Sequence, residues 1–516
     1  MEQHNTCHWK ICIDIHDVWG MLLLLFLFLH RNVPLDNSSL WQVGILCIVY
    51  LFSRLLDKRF ILVGIAVWSI IESLLAILQK LGCLSSSHSM FDVTGSFGNP
   101  GPLGGLLAVG LLVNAVFLYD GIKRKSYRYS IAYAMFSLLV VVGLWLSQSR
   151  AGWMAVWTGG FFLLCSSMYR RMYRKRFYLC LFSLFIFFLL FFAWAYLLKK
   201  NSADGRLLIW LNTWHMVLDN PLCGLGTGGW LSNYMHYQAE YFMQHPDSSY
   251  LMLADNVAYP YNEYLLLLAE HGIIGLLCLV FFWAAILLHK NNGKLEKALL
   301  LSFMTFAFFS YPSSVFALQI LFVVMLGMVK SHPICQCTHY VRVTRMATGL
   351  LMVLLISLSI HSAYIYHRVY GNIQTLIEGK NVDTSLRLLD GLLPYFRYNS
   401  KLMYFYSIAC VEQKLAEKKL PILEETSRLI PTSEMFCDIG DVWKERGDFS
   451  KSEFCYMKAM NMVPSRLTPQ YKLFHLYKSY GMRKEALLLR DKILETPSKK
   501  ESTKELRIKG EVRNYQ

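Results

Sequence analysis

The chain has 516 residues, of which 55% are hydrophobic, 15% aromatic and only 17% charged. This composition excludes a soluble globular enzyme, a disordered chain and a small disulfide-bonded scaffold. The 51 basic and 35 acidic residues give a net charge of +16, which is typical of nucleic-acid binding or of a membrane protein with basic loops.

Eleven apolar segments approach the length needed to cross a hydrocarbon core of ~30 Å. They are 17–30, 38–53, 60–79, 101–119, 129–148, 151–168, 177–198, 263–288, 298–311, 313–329 and 346–361. The two segments 298–311 and 313–329 are short, so a re-entrant pair remains open for them. We therefore predict an all-α, polytopic membrane domain at 1–361 with about eleven spans and a large outer loop at 199–262.

The basic residues predict the orientation of this domain. If the N-terminus lies inside, the inner loops carry 19 basic residues and the outer loops carry 6. The positive-inside rule then places the N-terminus in the cytoplasm, and an odd number of spans places the loop 199–262 and the polar C-terminal part outside. The excess charge is thus explained by topology, so we expect membrane lipids and no nucleic acid as partners.

One arginine interrupts two apolar runs near the predicted outer surface. Arg150 lies in the sequence Ser149-Arg150-Ala151-Gly152, between the fifth and sixth predicted spans. An arginine near a bilayer costs about 1 kcal/mol or more unless it pairs or reaches water. A functional role and a snorkelling loop arginine both remain open.

The outer loop contains a second arginine and a glycine-rich turn. Residues 206–218 have helical spacing, and the run 220–229 contains Pro221, Gly224 and Gly226, which end that helix. The glycines formally match a dinucleotide-binding fingerprint, which we reject because no strand precedes them and no helix obviously follows. A bend that lets backbone approach a phosphate or sugar and a plain turn both remain open. A second glycine-rich segment, 94–105, favours close helix packing.

The end of the outer loop combines residues suited to binding and proton transfer. At helical spacing Tyr259, Asn262 and Glu263 share one face, with Glu263 as a possible base and Asn262 as a partner for a sugar hydroxyl. The chain has no Walker A loop and no His-Glu-x-x-His, Gly-x-Ser-x-Gly or Asp-x-Asp motif. We therefore expect metal-independent chemistry without a cofactor.

The C-terminal part carries a repeat pattern. Residues 433–464 match seven positions of a tetratricopeptide repeat, a weaker copy begins at Leu467, and another ends at Pro431. This predicts a small α-solenoid at 362–495, followed by a flexible tail at 496–516. Binding of a protein partner in the concave face and a rigid cap on the membrane domain are both consistent with the pattern.

Together these segments resemble the O-antigen ligase and polymerase family of polytopic membrane proteins over about residues 90–330. The matching pieces are Ser149-Arg150-Ala151-Gly152, Arg206-x-x-x-Trp210 with Pro221-x-x-Gly224-x-Gly226, and Asn262-Glu263-Tyr264-Leu265 followed by Glu270-x-Gly272-x-x-Gly275. The resemblance rests on the order, the spacing and the common predicted outer placement of these short motifs.

The resemblance implies transfer of a glycan from an undecaprenyl-diphosphate carrier to a lipid A core, a growing polymer or a protein hydroxyl in the periplasm. It places the protein in a bacterial inner membrane. It also implies that Arg150 and Arg206 bind the diphosphate, with Asn262 and the two turn glycines Gly224 and Gly226 contributing to the substrate site. Ligase and polymerase are not distinguished.

Relatives usually carry a histidine just before the Asn-Glu segment, where this chain has Tyr259-Pro260-Tyr261. Tyrosine, with an ordinary pKa near 10, is a poor base but can orient a hydroxyl. Glu263 is the favoured replacement base, and His236 or His245 of the loop are alternatives. Without the usual histidine, a transporter or binding protein for lipid-linked glycans remains a competing hypothesis, as does a membrane-tethered scaffold.

Overall fold

Helices make up most of the described chain, which confirms the predicted all-α class. The computed structural model describes residues 11–34, 37–88, 90–168, 199–337, 341–497 and 503–515, with isolated residues between 178 and 197. Over the membrane part the helices are α1 Ile15–Leu29, α2 Asn37–Leu55, α3 Lys58–Lys80, α4 Pro100–Lys123, α5 Tyr127–Ser147, α6 Arg150–Met168, α7 Lys200–Asp219, α8 Gly229–Gln244, α9 Glu263–Leu287, α10 Lys294–Phe308, α11 Phe316–Met328 and α12 Val341–Ile377. The C-terminal helices are α13 Val382–Phe396, α14 Ser400–Glu412, α15 Ala416–Leu429, α16 Ser433–Glu445, α17 Phe449–Met462, α18 Leu467–Ser479, α19 Arg483–Glu495 and α20 Thr503–Arg513. Two short strands, β1 Ile11–Asp14 and β2 Pro333–Cys337, pair antiparallel.

The membrane part is polytopic, as predicted. Five described helices, α3, α4, α5, α6 and α9, are long and apolar enough to cross a membrane, and three shorter apolar helices lie in α1, α2 and α11. Ten of the eleven predicted spans coincide with described helices. The remaining one, 177–198, lies almost entirely outside the described residues. The total number of spans and the orientation stay predictions.

Small residues allow the membrane helices to approach closely. A Cβ added at Gly104 of α4 would lie 2.2 Å from the Cβ of Ser149, and one added at Gly110 would lie 2.1 Å from that of Ser69. Gly105 faces the ring of Phe306 in the same way. Helix association in a membrane depends on such van der Waals contact, because lipid tails are as apolar as the side chains. The glycine-rich segment therefore serves packing, as its composition favoured.

Helix α9 is broken at Gly272, and the glycine-rich turn of the outer loop fills the break. Gly272 has φ 59° and ψ −161°, so the amides of Ile273 and Ile274 cannot bond to the carbonyls four residues earlier. They donate instead to the carbonyls of Pro221 and Leu222, at 2.9 and 3.3 Å. In return, the amides of 225 and 226 donate to the freed carbonyls of 269 and 270, at 2.9 and 2.7 Å. The exchange satisfies backbone groups that a membrane interior would leave unpaired.

Ion pairs connect the ends of several helices in the membrane part. The Arg54 guanidinium, at the end of α2, lies 3.1 Å from Asp14 and 3.2 Å from Asp17 at the start of α1. Lys58 at the start of α3 pairs with Glu296 at the start of α10, at 2.7 Å. These pairs connect the ends of four helices, and the paired charges cost less to bury than single ones.

The C-terminal helices form consecutive packed pairs. At Gly440 of α16 an added Cβ would lie 2.5 Å from the ring of Tyr456 in α17. Gly440 stands at a position of the predicted repeat that takes a small residue. The tetratricopeptide assignment itself stays a prediction. The predicted boundary at 361 falls inside one continuous helix, α12. Residues 503–513, predicted to be flexible, form α20, whose Ile508 and Val512 are buried against α18 and α19.

Alanine at Gly224 should strongly destabilise the membrane part. Gly224 has φ +72°, and an added Cβ would lie 2.4 Å from the backbone carbon of Glu270. We expect Gly224→Ala to cost about 3 kcal/mol or more, and to lower the thermal unfolding midpoint measured in detergent. Gly82→Ala is the matched control, because Gly82 has φ +77° with nothing within 4 Å. It should cost about 1 kcal/mol. Equal unfolding midpoints for the two variants would contradict the conclusion that the turn stabilises the break in α9.

Candidate functional site

A cavity of about 990 Å³ opens between the membrane helices and the outer loop. Its walls come from the loop before α4, the junction of α5 and α6, the first half of α7, residues 253–261 and residues 309–311. Four predicted site residues, Arg150, Arg206, Tyr259 and Tyr261, line it. The structure thus brings together side chains that lie more than a hundred residues apart.

Arg206 is held by a carbonyl and an aromatic ring. Its Nη1 donates to the carbonyl oxygen of Phe309 at the end of α10, at 2.9 Å, and the guanidinium lies 4.9 Å from the centre of the Tyr261 ring. Burial lowers the pKa of Arg206, and the neighbouring charge of Arg150 lowers it further. The described residues contain no ion pair with Arg206. Its positive charge is stabilised by the carbonyl dipole of Phe309 and by the face of the Tyr261 ring.

Arg150 projects from a helix junction that small residues build. Gln148 ends α5 with φ 49°, and α6 begins at Arg150. Ser149 packs against α4, and a Cβ at Gly152 would lie 2.7 Å from the carbonyl oxygen of Gly104. The guanidinium reaches α7, where its Nη2 donates to the Ser202 hydroxyl at 3.2 Å. The motif around Arg150 therefore fixes the helix crossing from which the arginine enters the cavity.

A third cation, Lys199, lines the same cavity, and sequence reasoning missed it. Its Nζ donates to the side-chain oxygen of Gln148 at 3.0 Å. Burial lowers the pKa of Lys199, and the charge of Arg150 contributes in the same direction. Only the position just before Arg206 in the chain hints at this role, because Lys199 otherwise resembles a basic residue at the end of a span.

The two carboxylates of the described lining are already paired. A carboxylate oxygen of Asp92 lies 3.1 Å from the Lys80 ammonium, and one of Asp255 lies 2.6 Å from the Arg466 guanidinium. Arg466 belongs to the C-terminal domain, which comprises helices α13–α20. Positive charge therefore dominates the part of the cavity that Arg150, Lys199 and Arg206 line. Such a surface attracts anions with several oxygens, because guanidinium groups can donate two parallel hydrogen bonds.

Tyrosines form the wall beside these cations. The rings of Tyr259 and Tyr311 stack in parallel at 4.3 Å, and Tyr261 meets Tyr311 edge-on at 5.3 Å. The indole of Trp210 donates to the carbonyl of Pro260 between them, at 2.9 Å. Burial raises the pKa values of Tyr259 and Tyr261, so both hydroxyls stay protonated at neutral pH. They can position a hydroxyl but do not accept its proton readily.

Two other predicted residues stabilise the start of α9. Asn262 caps the helix, because its side-chain oxygen accepts from the amides of Tyr264 and Leu265, at 3.1 and 3.0 Å. A Glu263 oxygen accepts from the amide of Ser313, at 2.8 Å. Neither residue is among those that line the cavity. Both side chains therefore make local stabilising contacts, and their roles as sugar partner and base stay predictions.

The turn glycines also face the protein interior. The amide of Gly226 bonds to Glu270, and that of Gly224 bonds to Asn220 at 3.0 Å. A helix, α8, follows this turn, contrary to the sequence analysis. Its N-terminal amides, those of Gly228 and Trp230, donate to the Glu270 carboxylate at 2.9 and 3.2 Å. A carboxylate of the protein thus occupies the place where a phosphate would bind a free helix N-terminus.

The alternative histidines lie elsewhere. His236 packs against the Phe436 ring, and burial together with the charge of Lys458 lowers its pKa to about 4. His245 is exposed, with its Nδ1 3.0 Å from the carbonyl of Tyr241. No histidine is among the residues that line the cavity in the described chain.

A comparison with protein families supports the predicted resemblance. The family model described as O-antigen ligase matches residues 134–280, which run from α5 into α9 and include both arginines, the glycine-rich turn and Glu263. This segment is therefore similar to the O-antigen ligase family, and the predicted resemblance is confirmed for it. The match supports membrane glycan transfer of the ligase or polymerase type. No curated protein matches the chain.

Binding of a diphosphate should depend on pH through Lys199. Its lowered pKa means that it loses its proton at a lower pH than an ordinary lysine. We expect the affinity for inorganic diphosphate, measured by calorimetry from pH 7 to 10, to fall earlier in the wild type than in Lys199→Arg, because a guanidinium stays charged. The neighbouring, exposed Lys200→Arg is the control and should follow the wild type. All three proteins experience the same ionisation of the ligand, so identical profiles would refute a contribution from Lys199.

Proposed function

We propose that this protein transfers a glycan from an undecaprenyl-diphosphate carrier to a hydroxyl group of an acceptor on the periplasmic side of the inner membrane. The observation that carries the proposal is the convergence of Arg150, Lys199 and Arg206 on one cavity. Two of these cations belong to the motifs of the ligase resemblance. The acceptor is a lipid A core, a growing polymer or a protein, and the residues do not select among them.

The cations suit the departure of a diphosphate. In an inverting displacement, the acceptor oxygen forms a bond to the anomeric carbon while the bond from that carbon to the diphosphate oxygen breaks. The electron pair leaves with the diphosphate, whose charge then grows near Arg150, Lys199 and Arg206. Donors that are already oriented stabilise such charge without reorganisation during the reaction. Three fixed cations can supply the charge that other transferases take from a metal ion, so we propose a metal-independent reaction.

The tyrosine wall suits the acceptor. Tyr259 and Tyr261 have protonated hydroxyls beside the cations, and their rings offer faces on which sugar rings can pack. They can orient the attacking hydroxyl, whose proton passes to a water molecule late in the displacement, after most of the bond to the stable diphosphate anion has broken. A strong base at the acceptor is then less important than correct positioning.

A binding or transport protein for lipid-linked glycans remains the second candidate. The observation that favours it is the cavity lining, which contains no histidine among its described residues. Such a protein would use the same cations to hold the diphosphate but would leave the glycosidic bond intact. Turnover, and not binding, therefore separates the two candidates.

Transfer should require both arginines. With purified protein and a polyprenyl-diphosphate-linked glycan, we expect Arg150→Ala and Arg206→Ala each to lower kcat/KM by about 10²–10³. Lysine at either position should restore only part of the activity, because an ammonium cannot donate two parallel hydrogen bonds. Arg59→Ala, an exposed arginine at the start of α3, is the control and should retain activity.

Two further measurements complete this test. Chelation by EDTA should leave the rate unchanged, and the product should carry the inverted anomeric linkage. Tight binding of the donor by the wild type without any product would reject the transferase and favour the second candidate.

Glutamine at position 263 should be tolerated. Its amide oxygen can still accept from the Ser313 amide, so the contact that positions Glu263 survives the change. We expect Glu263→Gln to keep kcat within about fivefold of the wild type, whereas loss of a general base costs about 10²–10⁴. Glu263→Leu, which removes the acceptor oxygen, should lower the unfolding midpoint. A fall in kcat of a hundredfold or more for Glu263→Gln, at unchanged stability, would restore Glu263 as the base.

A further inference from the structure

The wall that carries the site tyrosines is irregular in structure. Residues 254–262, which end the outer loop directly before α9, form neither helix nor strand. Asp255, Asn256, Tyr259 and Tyr261 of this segment line the cavity. Loops without regular hydrogen bonds are the least stable parts of a fold, so other parts of the chain must fix their positions.

The C-terminal domain supplies these fixing contacts. Arg466, just before α18, forms ion pairs with Asp255 of the wall, at 2.6 Å, and with Glu434 of α16. The Glu434 carboxylate in turn accepts a hydrogen bond from the side-chain amide of Asn256. The backbone amide of Ser433 donates to the side-chain oxygen of Asn256, at 3.2 Å. Two consecutive wall residues are thus held by residues of the C-terminal domain.

A third contact passes through the outer loop. The buried side chain of Gln238 in α8 donates to the carbonyl of Asp255, at 3.1 Å, and to the carbonyl of Met462 at the end of α17, at 2.6 Å. Gln238 itself lines the cavity. One buried amide group therefore connects the wall backbone with the C-terminal domain.

The interface beside these contacts is mainly apolar, with the Lys458 ammonium 4.8 Å from the centre of the Phe436 ring. Met235 and Ala239 of α8 pack in one buried cluster with Phe436, Ala459 and Met462 of α16 and α17. His236 lies in the same interface in its neutral form. An interface of this kind holds its two sides in fixed relative positions more firmly than exposed ion pairs could alone.

We propose that the C-terminal domain is a structural part of the transfer site. In it, Arg466 and Glu434 are positioning residues for the wall, residues 254–262, which holds the acceptor. This rests on the proposed function. The contacts reach residues 255 and 256, whereas the cations come from α6, α7 and the residue before α7. The domain therefore determines how the acceptor is held and leaves the binding of the diphosphate donor to the membrane helices.

The experiment compares Arg466→Gln with Arg483→Gln, which changes an exposed arginine at the start of α19. We expect Arg466→Gln to raise the KM for the acceptor about three- to fivefold, as expected for loss of an exposed ion pair of up to about 1 kcal/mol, with kcat and the donor dissociation constant nearly unchanged. Arg466→Lys should restore part of the effect, because lysine can pair with one carboxylate at a time. Arg483→Gln should match the wild type.

Hydrogen exchange of the wall provides a readout that needs no activity. Amides of residues 254–262 should exchange faster in Arg466→Gln and in Asp255→Asn than in the wild type, and those of α6 and α7 should not change. If Arg466→Gln fails to fold, Asp255→Asn tests the same pair from the other side.

The outcomes separate this proposal from the proposed function. A wild type that transfers, with Arg466→Gln and Asp255→Asn indistinguishable from Arg483→Gln in acceptor KM and wall exchange, overturns the positioning role alone. A wild type that binds the donor without transfer overturns the proposed function, while the exchange data still decide whether the C-terminal domain orders the wall.

Discussion

The structure depends on an exchange of backbone hydrogen bonds between the broken helix α9 and the turn at 221–226. A helix interrupted within a membrane domain leaves amides and carbonyls unpaired, and each would cost several kcal/mol in hydrocarbon. Here the turn donates to the carbonyls before the break and accepts from the amides after it. The turn joins α7 to α8, so both helices of the outer loop take their positions from this contact. The same contact therefore determines the position of Arg206, which lies on α7, and that of the C-terminal domain, which packs against α8.

The distribution of charge follows from the same arrangement. At one end of the bundle Arg54 and Lys58 are neutralised by carboxylates, whereas at the cavity Lys199 and Arg206 have no carboxylate partner within the described residues. Burial lowers the pKa values of Lys199 and Arg206, and the neighbouring charge of Arg150 lowers them further, so keeping these cations at the cavity costs free energy. A bound polyanion relieves that cost. Perturbed groups in a cleft therefore mark a binding site more clearly than paired groups do.

Much of the fold could be predicted from the sequence, and the site only in part. Apolar length identifies helices reliably, since a span has few alternatives, and ten predicted spans lie on helices. Arg150 and Arg206 could be recognised because charge in an apolar context is rare. Lys199 and Tyr311 could not, because their roles arise from the folding of distant segments around one cavity. Asn262 could have been recognised as an N-cap, since asparagine before a helix commonly accepts from its first amides.

The cavity is built in two different ways, and this difference has functional consequences. Helix α7 and the tyrosine wall meet at Arg206, whose guanidinium donates to the carbonyl of Phe309, just after α10, and lies over the ring of Tyr261. On one side of this contact the groups project from helices packed within the membrane domain, so their geometry is rigid and tolerates little change. On the other side an irregular segment is held by contacts with the C-terminal helices. Substitutions in these helices can shift the wall by small amounts without disturbing the cations. If the site performs the proposed transfer, this construction allows the acceptor preference to change while the donor chemistry stays the same.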